Sequence, residues 1–373
     1  MKSIREADLN EKTVFLRVDY NVPMEEGRIM DNNRIKKSIA TIKYLLEHNA
    51  KIVIATHLGK PKGKVDQKTS TLPLAEELAR ELSHKVNATE YLIDDSVKQR
   101  IKDMQPGDII MLANLRWNPG EEGNDDEFAK SLASYADLYV NDAFGASHRA
   151  HASISAITKY LPGFAGFLLD SEVTTLSLLL KDPARPFYLI MGGAKIGDKT
   201  GMIDNLAPKV DKILVGGGIA NTFLAARGDN VSESLCETEM IGKCKELLDK
   251  YGEKIELPID NISENKSSGV FSIMDIGSQT REKYAKEIVN AKTIFWNGNM
   301  GKSEDQQYEG GTKSIASAIS SNSEATSVIA GGDTAGYVIS HNMEEGISFI
   351  STGGGAALEF LAGLKLPGVE ALN

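Results

Sequence analysis

Nine short runs rich in β-branched and aromatic residues recur along the chain, at Thr13–Val18, Lys51–Ala55, 108–112, 137–141, Phe187–Met191, Lys212–Val215, 293–296, 327–330 and 347–351. Between most of them lie helical patterns, such as Ile35, Ile39, Ile42 and Leu46, or Leu74, Leu78 and Leu82, spaced to lay one apolar stripe on a sheet. Strand and helix alternating in this way leave few folds open: the chain reads as α/β, with doubly wound parallel sheets covered on both faces. At 373 residues it exceeds what one hydrophobic core usually organises, so two such domains are expected. The break falls at Tyr160-Leu-Pro-Gly-Phe-Ala-Gly166, which interrupts the sheet pattern. Phe167–Lys181 then reads as one longer connecting helix, ended by Asp182-Pro-Ala-Arg-Pro186.

In doubly wound folds ligands sit beyond the carboxyl ends of the strands, and the residues there differ between the two halves. The first half has Arg17-Val-Asp-Tyr-Asn-Val-Pro23, Asp31-Asn-Asn-Arg34, Thr56-His-Leu-Gly-Lys-Pro61, Asn114-Leu-Arg-Trp117 and Asn141-Asp-Ala-Phe-Gly-Ala-Ser-His-Arg-Ala-His151. Arginines grip carboxylate or phosphate with a planar fork, so this half suits a small, multiply charged anion. Any one of these arginines could equally pair with a structural carboxylate such as Asp19 or Asp31. The second half carries glycines instead: 192–193, 216–218, 298, 331–332 and 353–355. Those suit a phosphate-rich ligand approached closely by backbone.

The stretch 188–199, Tyr-Leu-Ile-Met-Gly-Gly-Ala-Lys-Ile-Gly-Asp-Lys, breaks from an apolar run into glycines and reopens as a helical pattern. It is either a tight turn with two solvated lysines or a phosphate cradle. On a helix, Lys195 and Lys199 would share a face. Gly331-Gly-Asp-Thr334 offers a similar choice between a plain Asp/Thr cap and a helix N-terminus that meets phosphate, with Asp333 free to hold Mg²⁺.

Several classes drop out. The net charge of −10 comes without a basic tail or stripe, which argues against nucleic acid. Cys236 and Cys244 fit neither a disulfide framework nor a zinc knuckle, and the stretch 1–10 has no apolar signal core, so a cytoplasmic protein is expected. The longest uncharged apolar stretch, 213–226, is interrupted by three glycines and is shorter than the ~20 residues a bilayer requires. His148 and His151 enclose Arg149, which would repel a metal ion. Gly301-Lys-Ser303 lacks the earlier glycine of a P-loop, because Trp296 stands there, and no glycine cluster forms a dinucleotide fingerprint.

Taken in order, Arg-Val-Asp-x-Asn-Val-Pro, Asp-Asn-x-Arg-Ile, His-Leu-Gly, Asn-Leu-Arg, Asp-Ala-Phe-Gly with His-Arg-Ala-His, Gly-Gly-Ala-Lys with Asp-Lys, Trp-Asn-Gly, Gly-Gly-Asp-Thr and Ser-Thr-Gly-Gly-Gly make the chain similar to the phosphoglycerate kinases. The resemblance implies two doubly wound α/β domains that close about a hinge. They would be an N-terminal phosphoglycerate-binding domain (1–166, with the tail 360–373 packed back on it), a connecting helix (167–181) and a nucleotide-binding domain (182–359). It implies reversible phosphoryl transfer between 1,3-bisphosphoglycerate and ADP, giving 3-phosphoglycerate and ATP, with Mg²⁺, by a monomer. Carried onto matching positions, Asp19, Asn21, Arg34, His57, Lys60, Arg116 and Arg149 would hold the phosphoglycerate. Gly193, Ala194, Lys195, Lys199, Gly217, Asn297, Glu304, Gly331, Gly332, Asp333 and Thr334 would hold the nucleotide, with Glu304 at the ribose and Asp333 at the metal. Arg34, Lys195 and Gly332 would serve the transfer itself.

The chain departs from that pattern at a few places. Lys60 replaces a usual arginine and Ala113 a usual glutamate. Asn299, Lys302 and Ser303 stand where the family commonly has Pro, Val and Phe. The last three turn an apolar wall near the base polar, which leaves an altered nucleotide preference open. A non-catalytic relative that kept the fold is the other alternative, although it would have no need of Arg34, Lys195, Lys199 and Asp333 together.

Overall fold

Strands of a parallel sheet covered on both faces must be apolar along their length, and β1 (Thr13–Val18) is buried at all six residues. The computed structural model describes residues 1–373 and divides them into two units, Met1–Thr174 with Lys365–Asn373, and Thr175–Leu364. In the first unit β1 is followed by a small antiparallel ribbon, β2 (Met24–Glu25) and β3 (Arg28–Ile29). Then come β4 (Lys51–Ala55), β5 (Val86–Ala88), β6 (Ile109–Met111), β7 (Leu138–Asp142) and β8 (Gly163–Ala165). Six of these form a parallel sheet in the order β5-β6-β4-β1-β7-β8, with Val14 opposite Ile52 on one side and Leu138 on the other. The strand order reverses between β1 and β7, so their carboxyl ends flank a crevice.

The helix Asn33–Glu47 covers this sheet with Ile35, Ile42 and Leu45 fully buried. Its stripe is turned slightly from the expected one: Ile39 and Leu46 are half-buried, and Leu45 points inward instead. The segment 160–166 also differs from expectation. It does not simply end the sheet, since Gly163–Ala165 forms the edge strand β8, paired to β7 through Tyr139 and Gly163. A strand of three residues carries too little pattern to be read. Its glycine packs closely, since a Cβ there would lie 2.7 Å from the side-chain end of Leu372, which would have to shift.

The second unit contains β9 (Phe187–Met191), β10 (Lys212–Val215), β11 (Ile255–Glu256), β12 (Asn261–Ser267), β13 (Val270–Ile276), β14 (Thr293–Asn297), β15 (Thr326–Ala330) and β16 (Phe349–Ile350). Six are parallel in the order β11-β10-β9-β14-β15-β16, with the reversal between β9 and β14. Its core gathers Ile190, Leu214, Ile294, Trp296, Ile315 and Ile329. β12 and β13 make a separate antiparallel hairpin that the sequence reading did not anticipate. The helix Phe167–Lys181 forms over the expected residues, and the division between the units falls within it. No helix is long and apolar enough to cross a membrane.

Candidate active site

In the first unit the segments beyond β1, β4 and β6 carry cations, of which Arg34 and Arg116 are already engaged with partners. Arg34, at the start of its helix, places Nη1 2.7 Å from Asp19 Oδ2. Asn21 Oδ1 accepts from Gly59 N at 2.9 Å, and Arg116 Nη1 donates to Gly59 O at 2.9 Å. The loop after β4 is therefore pinned from two directions. Arg116 Nε also lies 3.3 Å from Glu122. Lys60 and Arg149 are exposed, the latter donating from Nε to His148 Nε2 at 3.1 Å.

Behind this row is a buried charge network centred on Arg17, a residue that stands in the first motif but was not placed in the site. Ser153 and Glu121, which the motifs did not include, join it. Arg17 is fully buried within β1, where a lone charge in an apolar strand is the signal that could have marked it. Its Nε donates to Ser153 Oγ at 2.7 Å, and that hydroxyl donates to Glu121 Oε1 at 2.6 Å. Glu121 also accepts from Ser153 N at 3.0 Å, so the serine relays between two fully buried charges 3.7 Å apart. Arg17 Nη2 lies 3.3 Å from His57 Nδ1. Because a guanidinium only donates, Nδ1 must accept and Nε2 carries the proton. Burial, then Arg17, Arg116, His151 and Arg34, push His57 well below the ordinary 6.5. The ring is therefore neutral near pH 7, and its 3.9 Å approach to Asp19 is not an ion pair. It offers a donor of fixed tautomer.

In the second unit the loops after β9 and β14 meet backbone against backbone. A Cβ on Gly192 would lie 2.2 Å from Asn299 O, and one on Gly298, at φ +98°, 2.1 Å from Gly192 O. Only glycine permits this contact. Gly193, Ala194, Lys195, Lys199, Gly217, Asn297, Glu304 and residues 331–334 all line one cavity of about 1050 Å³. The hairpin residues Asn261, Glu264 and Lys266 and the residues Asn299 and Lys302 complete its wall. Asn299 Nδ2 donates to Ser303 Oγ, so two of the departures from the family pattern pair with each other.

The two lysines do not share a helix face. Lys195 lies in the loop, exposed, whereas Lys199 ends a short 3₁₀ turn, Gly197–Lys199, and is buried. Lys199 Nζ donates to Gly192 O at 2.6 Å and Asn297 O at 3.3 Å. Burial lowers its pKa to about 8, against the opposing pull of Asp198 and Asp333. Thr334 is buried and accepts from Gly298 N at 2.8 Å, while Asn297 Nδ2 donates to Ala330 O at 2.8 Å. These two residues pin neighbouring strand ends together. Asp333 is exposed in the first turn of the helix Gly332–Ser340. Gly332 is also exposed, as is Glu304 on the loop after β14.

Residues 4–364 match the family model described as phosphoglycerate kinase. Among solved structures, the phosphoglycerate kinase from Coxiella burnetii is 37% identical, with a TM-score of 0.87 over 99% of this chain and 98% of that one. The phosphoglycerate kinase from Pyrococcus horikoshii OT3 is 31% identical, with a TM-score of 0.91 over 100% and 98%. Matched in sequence and fold along nearly its whole length, the chain belongs to the phosphoglycerate kinase family and is a phosphotransferase with a carboxyl acceptor, moving a phosphoryl group reversibly between 1,3-bisphosphoglycerate and ADP.

Proposed function

We propose that the first unit holds the phosphoglycerate through Asp19, Asn21, Arg34, His57, Lys60, Arg116 and Arg149, and that the cavity of the second unit holds the nucleotide. What supports this is that every nucleotide-side residue named from the motifs lines that single cavity. Phosphoryl transfer to a carboxylate removes no proton from the acceptor, so the site needs positioning and positive charge rather than a base. His57, neutral with Nε2–H as donor, fits a positioning role. Lys195 is the one lysine of the loop without a protein partner, free to follow the phosphoryl group, while Lys199 fixes the nucleotide phosphates. The exposed backbone of Gly332 at its helix N-terminus adds a donor.

No group of three His, Cys, Asp or Glu residues could cage a metal ion. A single exposed carboxylate, Asp333, does suit Mg²⁺, which is commonly held by one or two carboxylates together with substrate phosphates. Bound there, Mg²⁺ would neutralise charge on the nucleotide phosphates. Glu304 would hold the ribose. Because Arg34 and Lys195 belong to different units, transfer requires the two half-sites to come together, with the helix Phe167–Lys181 as the hinge. We assign the chain to the cytoplasm as a monomer.

The test is a turnover assay with 3-phosphoglycerate against ATP, GTP and other phosphoryl donors, in the parent and in Lys195→Ala. Rapid Mg²⁺-dependent turnover is expected, reduced about 10³-fold by Lys195→Ala. Undiminished turnover in Lys195→Ala would remove that lysine from the mechanism.

A further inference from the structure

The loop 192–199 carries both lysines and is tied at both ends, with Gly192 N donating to Asn297 O at 3.0 Å and Lys199 N to Ile196 O at 2.8 Å. At its start Gly193 N donates to Asn299 O at 2.7 Å. Further along, one carboxylate oxygen, Glu237 Oε2, accepts from two successive backbone groups: Ile196 N, and Gly197 N at 3.1 Å. Glu237 lies forty residues away in sequence and is itself anchored. Its N–H donates to Thr222 Oγ1 at 3.2 Å, and that hydroxyl donates to Gly218 O at 3.0 Å within the helix Gly217–Arg227. Asn221 of the same helix donates to Leu235 O at 3.2 Å, holding the segment that carries Glu237.

This clasp sits behind the loop. Gly193, Ala194, Lys195, Asp198 and Lys199 line the cavity, but Ile196, Gly197 and Glu237 do not, and Ile196 is fully buried. The carboxylate is therefore not occupying a phosphate's place. Two adjacent N–H groups held by one charged oxygen make a strong, directional pair of bonds. They fix the backbone immediately after Lys195 and two residues before Lys199.

We infer that Glu237 is a positioning residue for phosphoryl transfer, holding Ile196 and Gly197 so that Lys195 and Lys199 present their ammonium groups to the nucleotide phosphates. The inference rests on the reading of Lys195 as the transfer lysine. A displacement of about 1 Å at such a group costs on the order of 10²-fold in rate, so Glu237→Ala is expected to lower kcat by roughly that factor. The KM for 3-phosphoglycerate, bound in the other unit, stays within about twofold. Glu237→Gln, which keeps an acceptor oxygen, restores kcat to within about fivefold of the parent, the size of one weakened hydrogen bond.

Parent-like kcat in Glu237→Ala overturns the proposal, as does Glu237→Gln being as impaired as Glu237→Ala. Should thermal melts show Glu237→Ala unfolded, Glu237→Asp keeps the charge but shortens the reach. An unchanged kcat in that variant overturns the proposal equally. Lys195→Ala assayed in parallel separates the two readings: parent-like turnover there defeats the lysine assignment, whereas an inactive Lys195→Ala beside a fully active Glu237→Ala defeats the clasp alone.

Discussion

The two half-sites prepare for anions in opposite ways. In the first unit positive charge is committed in advance: Arg34 to Asp19 at 2.7 Å, Arg116 to Glu122 at 3.3 Å, and Arg17 through Ser153 to Glu121. In the second, walls are built from backbone at glycines, and Lys195 stands exposed. A small rigid anion is best met by forks whose direction is already set. A nucleotide needs close backbone approach and a charge that can travel with the phosphoryl group. Preorganisation and reach are thus assigned to different halves of one enzyme.

If the second half-site depends on a single buried amine for anchorage, Lys199→Met should be the most damaging change to it. An apparent nucleotide KM raised about 10²-fold is expected, the worth of two charge-assisted bonds. The same variant should be more stable. Burial lowers the folded pKa of Lys199 to about 8, so between there and the unfolded value near 10.4 the unfolded chain binds the extra proton and stability rises with pH. Below pH 8 the parent carries the full cost, at most about 3 kcal/mol. Denaturant melts at pH 7 and pH 10 measure it, and a pH response in Lys199→Met equal to the parent's would refute this account.

In the first half-site direction should matter more than charge. Arg34→Lys keeps the cation and loses the fork, so kcat/KM for 3-phosphoglycerate should fall about 30-fold, or about 2 kcal/mol. Nucleotide KM measured alongside should not move. Next in size is the acid response of the buried network. Burial, with Arg17, Arg116 and Arg149, lowers His151 to about 3. Its folded pKa lies below the unfolded 6.5, so stability is lost as pH falls through that window. Urea midpoints at pH 7.5 and pH 5 should show His151→Gln losing about 2 kcal/mol less than the parent. Equal losses would exclude this histidine as the cause. The smallest expected effect is at the cavity wall. Lys302→Val removes an exposed cation and should raise the ATP-to-GTP preference about threefold, as suits a weak surface charge. An unchanged ratio in competition assays would free the base from that position.

Much of this was legible beforehand, for identifiable reasons. Central parallel strands such as β1, β4 and β9 announce themselves because burial on both faces demands nearly continuous apolar runs. β8 does not, being three residues inside a Pro/Gly cluster, and β12 is almost wholly exposed, so its composition is that of a loop. The turn at Ser268-Gly269 beside the largely apolar run of β13 was the one local sign of that hairpin. Cations and glycines at strand ends could be picked out because their chemistry is visible in the letters, and those of the second unit do line one cavity. Which lysine is buried is not visible. Lys195 and Lys199 differ only in tertiary surroundings, through Gly192 O and Asn297 O. Glu237 was equally hidden, since nothing near it in sequence points to a loop forty residues away.

The backbone contact between Gly192 and Gly298 has a consequence for anyone seeking to diversify this enzyme. A side chain at either position would strike a carbonyl carbon or oxygen rather than a yielding side chain, and the two strand ends cannot separate without opening the sheet between β9 and β14. Random libraries that include them would be mostly non-functional. Lys302 and Glu304, exposed on the same loop, face no such limit. The rim of this cavity can drift while its floor stays fixed; if it holds the nucleotide as proposed, new nucleotide preferences are reachable by substitution at 302–304 without touching 192 or 298.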